Sequence, residues 1–292
     1  VSFTALASGI HDLGASAYHA DEITDVPTLS ASIASILVGR SPAHARAAHP
    51  KLNPDLKRVL SEKFDLGTAA HRLFLEGTDA VAVVDAADWR TNAAKDARAT
   101  ARAAGRIPLL PPQAADVAAM VAATSEHLAR KNVEPEPFTD GKPEQTLIWG
   151  DNQGVVCRAR LDWLRDDFTA IDDYKTTSAS ADPEKWTRTM YGMGCDVQVA
   201  FYLRGVEKIT GVRPVFRYVV QETYPPYELS VVDLAPSALA LAEDKVERAI
   251  ELWAVCLERG FWPGYSDQVA SIEVPTFEEM RWLSRIGEEA AA

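Results

Sequence analysis

The sequence predicts an α+β (mixed α/β) fold, with a central mixed β-sheet flanked by helices. Three observations predict it. Helical patterns come first, then three strand patterns, a long helix, two more strands and a last helix. Apolar residues make up 47% of the 292, enough to build one large core or two modest ones. No stretch rich in Gly, Ser or Pro is long enough to act as a linker, so residues 1–292 read as a single domain. Within it, 1–140 is a mostly helical part, 141–235 a sheet-and-helix part, and 236–292 a C-terminal helix and tail.

Residues 1–27 read as irregular, with a short first turn. A Thr/Ser start and the spacing of Ile33, Ile36 and Leu37 predict a helix over 28–39 that stops at Gly39. Pro42 restarts a short helix in SPAHARAAH. A stronger one runs over 65–77, capped by Asp65 and stopped by Gly77. VAVVDA (81–86) reads as a strand, 89–104 as a helix, 107–112 as a break and 113–131 as another helix. Strands follow at 144–150, 155–166 and 168–177. Asp182 caps a long helix from Pro183 to about Gly205, with Pro at its first position. Two strands, 213–223 and 227–234, flank a Pro-Pro turn, and a helix over 236–259 ends at Gly260.

Composition narrows the function classes. Three dispersed cysteines (Cys157, Cys195, Cys256) form no CxxC pair, which argues against a disulfide framework and against a four-cysteine metal site. No apolar run reaches membrane-spanning length, and no basic segment followed by an apolar one marks a secretory signal, so a cytoplasmic protein with no membrane partner is expected. The net charge of −12 argues against a protein that coats nucleic acid along its whole surface. A local basic groove remains compatible, because fields act within a Debye length of ~10 Å. One segment is basic: Lys95, Arg98 and Arg102 recur at helical spacing within 89–106, forming either a phosphate-contacting face or a solvated alanine-rich one.

The stretch TAIDDYKTT (169–177) is unusual for a strand, since Asp and Lys are poor strand residues and costly to bury unpaired. Asp173 and Lys175, two apart, point to one face. With a turn over 166–169, Asp162 faces Asp173 across the hairpin, with Cβ atoms ~4.5–5.5 Å apart. Carboxylates that close repel unless one is protonated or a cation lies between them. Mg²⁺ suits such a pair and keeps waters and phosphate oxygens as its other ligands, with the Tyr174 carbonyl as one more oxygen. That arrangement suits phosphodiester hydrolysis, with Lys175 orienting a water or steadying growing negative charge. Asp172 has the wrong parity for this face. Arg160, two before Asp162, either contacts a phosphate or pairs diagonally with Asp173. An ordinary charged hairpin would show the same tripeptide.

These residues resemble a family. Asp162 in CRARLDWL followed by IDDYKTT looks like the PD-(D/E)xK nuclease core, whose fold is restriction-endonuclease-like. The wider ordered set resembles phage and prophage exonucleases related to RecE (exodeoxyribonuclease VIII). It comprises YHAD, LSAS, SPAHARAAHP, FDLGTAAHRLFLEG, AAGRIPLL, EQTLIW, QVAFY and GFWPGY. The resemblance spans nearly the whole chain.

The resemblance implies roles. His71, in a GxxxH helix, would help ligate the metal with Asp162, Asp173 and Tyr174. Glu144 stands where the family has an acid on the preceding strand; it either binds a second metal through water, orients the nucleophile, or is a plain exposed strand acid. Gln198 and Tyr202 match a QxxxY helix, with the Gln buttressing Lys175 and the Tyr lying by the DNA. The expected activity is Mg²⁺-dependent 5′ to 3′ degradation of linear double-stranded DNA from its ends, with Mn²⁺ able to substitute. A ring-shaped homo-oligomer and a single-strand annealing partner are also implied. An iron–sulfur cluster, carried by another branch on four cysteines, is not expected here. A structure-specific endonuclease and a non-catalytic DNA-end binding module are the alternatives.

Overall fold

The computed structural model describes residues 7–56, 66–151 and 153–290. Strand β1 (Gly9–His11) and the short helix α1 (Ala15–Ala20) occupy the segment expected to be irregular. Next come β2 (Leu29–Ser30), α2 (Ala31–Gly39) and α3 (Pro42–Ala48). Their starts are set by local chemistry. The Ser30 and Ser41 hydroxyls accept from the backbone N–H groups of Ile33 and His44, satisfying donors that the first turn leaves free. Helix α4 (Leu66–Glu76) follows; the cap assigned to Asp65 lies outside the described residues. A 3₁₀ turn leads to β3 (Val81–Val83), α5 (Asn92–Ala103), β4 (Ile107–Leu109) and α6 (Pro111–Arg130). Strand β4 replaces the expected break at 107–112. It pairs in parallel with β3 as a separate two-stranded sheet.

The main sheet is built from β5 (Gly141–Gly150), β6 (Val156–Arg165), β7 (Ala170–Thr177), β8 (Val215–Glu222) and β9 (Leu229–Val232), with β1 on the β5 edge. The expected long helix over 183–205 is two helices, α7 (Pro183–Met193) and α8 (Cys195–Thr210). They carry the chain from β7 to the parallel β8, the crossover that parallel pairing requires. The break falls at Gly194, whose φ of 72° is left-handed and favours glycine; a methyl there would also run into Ser35. Helix α9 (Pro236–Arg259) ends at Gly260 as expected, and α10 (Thr276–Ala290), not foreseen, follows a segment without regular structure.

The mixed sheet separates two apolar clusters. Ile33, Leu37, Trp186, Phe201 and Trp253 from α2, α7, α8 and α9 pack against Trp149, Ile171, Phe216 and Val220. Ala69, Ala70, Val117 and Met120 from α4 and α6 pack against Tyr174, Val219 and Leu229 on the opposite face. The alternation of Val219 and Val220 between clusters is the period-two signature of a strand buried on both sides.

One irregularity positions the site. Along its length β6 pairs with β5, but its other side changes partner. At Cys157–Arg158 that side pairs in parallel with β2; at Trp163–Leu164 it pairs antiparallel with β7. Between these two contacts β6 and β7 have parted, and Asp162 stands at the fork.

Candidate active site

The β6–β7 ladder matches Trp163 with Asp172 and Leu164 with Ile171, so the next step of that register sets Asp162 against Asp173, as the hairpin turn predicts. The β5–β6 ladder matches Pro143 with Trp163 and Gln145 with Leu161, which sets Glu144 against Asp162. Three acids therefore form a row across three adjacent strands. Glu144 has φ 57°, a left-handed conformation uncommon for a residue with a Cβ and concentrated at functional positions. Since the strands have parted, the Asp162 carboxylate takes the place of a ladder partner. Its Oδ2 accepts from the Tyr174 backbone N–H at 2.9 Å and from Nε2 of His71 at 2.9 Å.

Each acid has its own support. Arg160 donates through Nε to Glu144 Oε2 at 2.5 Å, and is itself tied to the Leu13 carbonyl. Asp173 is fully buried. Gln198 Nε2 donates to its Oδ2 at 2.7 Å, and the Lys175 ammonium lies against Oδ1 as an ion pair. Among the described residues that Oδ1 has no well-directed hydrogen bond. His71 comes from the α4 face and stacks near Tyr174, ring centroids 5.9 Å apart.

Burial and mutual repulsion set the protonation of the row. Burial first, then the Asp162 charge, push the Asp173 carboxyl up to about 6, against the pull of Lys175. Glu144 is also raised, by burial and then by Asp162. Burial would raise Asp162 too, but its hydrogen bond from His71 and the Lys175 charge outweigh it and hold the carboxyl below its ordinary value. Burial opposes both cations, yet Asp162 raises the His71 pKa, and Asp173 with Asp162 raises that of Lys175. One strong acid thus sits between two weak ones, an arrangement that welcomes additional positive charge.

The donor set fits a divalent cation. Among the described residues, His71, Glu144 and Asp162 each offer one ligand atom, all within 4.8 Å of one another. Ligands at about 2.0–2.6 Å from one ion are at most about 5 Å apart, so the three can share it with little adjustment. His71 would release the proton it now gives to Asp162, which makes loading pH-dependent. Two carboxylates suit Mg²⁺ or Mn²⁺, and the imidazole favours the latter.

The structure brings Glu144, Asp162, Asp173, Lys175, His71 and Gln198 together and gives several of the predicted residues partners other than those expected. Asp173 is set aside from the three-ligand cluster, held by Lys175 and Gln198. Gln198 buttresses Asp173 rather than Lys175. Arg160 pairs with Glu144 rather than Asp173, because the parted strands remove the diagonal contact. Tyr174 meets the site through its backbone N–H on Asp162; its side chain points into the α4–α6 core. Tyr202 is buried beside Phe216, and its hydroxyl reaches Gln198 behind the carboxylate row. Lys95, Arg98 and Arg102 are carried by α5, which packs on β4 of the small sheet rather than on the carboxylate row; Arg98 lies 5.3 Å from the Trp89 ring. Asp172 is on the far side, as its parity predicts, paired with Arg217 at 2.7 Å. Tyr218 is a neighbour that sequence reasoning missed. It sits beside Asp173 on β8, and only the parallel register reveals that.

Comparison with known proteins bears on the fold. A protein of Eubacterium rectale, designated a candidate exonuclease, superposes with a TM-score of 0.56 at 12% identity, over 92% of this chain and 98% of that one. SSO0001 aligns with a TM-score of 0.33 at 11% identity, over 80% of this chain and 83% of that one, a likeness too low to carry weight. No curated protein matches. Among the described residues no helix is long and apolar enough to cross a membrane. The mixed sheet flanked by helices is the restriction-endonuclease-like fold of PD-(D/E)xK nucleases, a superfamily generally dependent on divalent metal. The match to the PDDEXK-like domain of unknown function (DUF3799) covers residues 32–275, and the chain belongs to that family.

Proposed function

We propose that this chain is a Mg²⁺-dependent exodeoxyribonuclease of the RecE-like kind, degrading linear double-stranded DNA from its ends, 5′ to 3′, and that Mn²⁺ can replace Mg²⁺. The observation that carries the reading is the row Glu144–Asp162–Asp173 across three strands, with His71 at one end and Lys175 at the other. A pure DNA-binding module gains nothing from three clustered acids, which repel phosphate. The choice of DNA ends, the polarity and a role in phage-type recombination with an annealing partner rest on the ordered motifs in the sequence.

His71, Glu144 and Asp162 would hold the metal, which supplies Lewis acidity and lowers the pKa of a bound water. The protein's own groups do the rest. Arg160 fixes Glu144 so that one oxygen stays directed to the cluster. The Tyr174 N–H fixes Asp162. Lys175, held at Asp173, places a positive charge where the attacked phosphate gains negative charge. Gln198 holds the other oxygen of Asp173, which keeps the lysine and its carboxylate in one geometry.

The deciding experiment is degradation of an end-labelled linear duplex with Mg²⁺, beside a closed circle of the same sequence. Loss of the linear duplex with label released from the 5′ ends, and an intact circle, is expected. A nicked or linearised circle would replace the exonuclease by an endonuclease of the same core. No cleavage of either, with Mg²⁺ or Mn²⁺, would overturn the nuclease reading.

A further inference from the structure

Tyr218 lies beside the site without belonging to any motif. It is aligned with Asp173 across the parallel β7–β8 pair and is buried. Its hydroxyl donates to the Cys195 carbonyl at 2.8 Å and approaches Gln198 Oε1 at 3.3 Å. The ammonium of Lys175 stands 5.5 Å from its ring centroid. Trp186 and Phe216 pack edge-on against the ring, with centroids 5.5 and 4.8 Å away, which fixes its plane.

We propose that Tyr218 is a positioning residue that holds Gln198 and Lys175 on the two oxygens of Asp173. The donor inventory supports this. An ionised Asp173 only accepts, so the Gln198 NH₂ faces it and Oε1 is turned away. Oε1 then needs a donor in a buried setting, and the Tyr218 hydroxyl lies 3.3 Å from it, its one proton shared between Oε1 and the carbonyl of Cys195, the first residue of α8. Burial, then the Asp173 charge, push the Tyr218 pKa well above its ordinary value, so the hydroxyl keeps its proton. Lys175 is held from two sides. Asp173 binds its charge, and the face of the phenol ring, electron-rich, meets the ammonium. One side chain therefore links the tip of α8 to both partners of Asp173. The proposal rests on the nuclease reading for its effect on rate, though the contacts themselves are independent of it.

The test uses Tyr218→Phe, Tyr218→Leu and Gln198→Ala in the full chain. Tyr218→Phe keeps the ring and loses the hydroxyl, so turnover should fall about 3- to 10-fold, with KM for a linear duplex unchanged. Tyr218→Leu loses both contacts and should fall about 30- to 100-fold. In a Gln198→Ala background, Tyr218→Phe should cost less than about twofold more, since the two groups act through one contact. NMR gives a readout apart from activity. The Gln198 side-chain amide should shift in Tyr218→Phe, and the Lys175 Cε and ammonium protons should lose their ring-current shift only in Tyr218→Leu. Multiplicative losses in the double variant, or Gln198 and Lys175 signals that do not move, overturn the proposal. If Tyr218→Leu fails to fold, Tyr218→Phe and its double variant decide the matter. If the unmodified protein cleaves nothing, the nuclease reading falls, and the NMR shifts alone decide whether Tyr218 positions these groups.

Discussion

Asp162 accepts from a main-chain N–H and from an imidazole at once, and its neighbours on both sides are acids. Removing its charge should therefore act differently from removing Lys175. Asp162→Asn, Glu144→Gln and His71→Ala should each weaken Mn²⁺ binding by tenfold or more in calorimetry, because each removes a ligand. Lys175→Ala should leave Mn²⁺ affinity unchanged or slightly tighter, as a nearby positive charge is lost. Its turnover should still fall about 100-fold, the scale of a lost electrostatic contact in the transition state. Asp173→Asn should cost less metal affinity than Asp162→Asn, since Asp173 stands outside the three-ligand cluster. Normal turnover in Lys175→Ala would return the IDDYKTT strand to a structural role. Most of this site was legible in the sequence because strand parity and hairpin register are local: Asp173, Lys175 and Asp162 follow from counting along two strands. The partners of Arg160 and Gln198 were not legible, because they depend on where β6 and β7 part and on how α8 approaches β7.

Elements show the same division between local and non-local information. Caps, helix stops and the antiparallel hairpins were readable because each depends on a few neighbouring residues. The α7–α8 break was missed because a glycine inside an apolar helical pattern only costs ~1 kcal/mol in a helix and does not announce a break. At the break Gly194 is left-handed, and Ser35, a residue distant in sequence, leaves no room for a Cβ there. Gly194→Ala should cost about 1–3 kcal/mol in urea unfolding, from left-handed strain and overpacking together. A neutral result would mean that α2 can yield there. A second element-scale test concerns the end of α3. His49 is fully buried; its Nε2 donates to the Thr28 carbonyl at 3.0 Å and lies 3.4 Å from Asp21 Oδ2, tying the end of α3 to the residue before β2, while Nδ1 has no partner among the described residues. Burial lowers the His49 pKa, and a proton added at Nδ1 would find no acceptor. The folded pKa is depressed below that of the unfolded chain, near 6.5, so the unfolded state takes up the proton first. His49 should thus favour folding above pH ~6.5 and lose that contribution as pH falls toward its folded pKa. The melting temperature should drop between pH 7 and 5 in the unmodified protein. His49→Gln, which keeps a donor for Thr28 and does not titrate, should show a shallower drop. Equal slopes would remove His49 as a source of acid sensitivity.

At the scale of the molecule, the sheet with its two apolar faces and the last helix have different relations to stability. The chain is held to the body just beyond α9. The Ala43 N–H donates to the Pro263 carbonyl at 3.0 Å, Trp262 packs edge-on to the buried Trp253, and the Tyr265 ring lies 5.5 Å from that of His44. Past that point Val269, Ile272, Phe277, Met280, Trp282 and Leu283 are all exposed, and among the described side chains of α10 none joins either core. Phe277, Met280, Leu283 and Ile286 recur every three residues along one side of this helix, a pattern the sequence reading passed over, and that side stays exposed. Area that stays in water contributes no hydrophobic stabilisation. A chain ending after Ser266 should therefore melt within about 1–2 °C of the full chain, where even 1 kcal/mol would move a protein of this size by about 2–4 °C. It should also stay soluble to higher salt, since exposed apolar patches drive association. A fall of several degrees on truncation would show that α10 packs on the body in solution. Lower solubility of the shortened chain would show that its apolar residues cover other apolar surface.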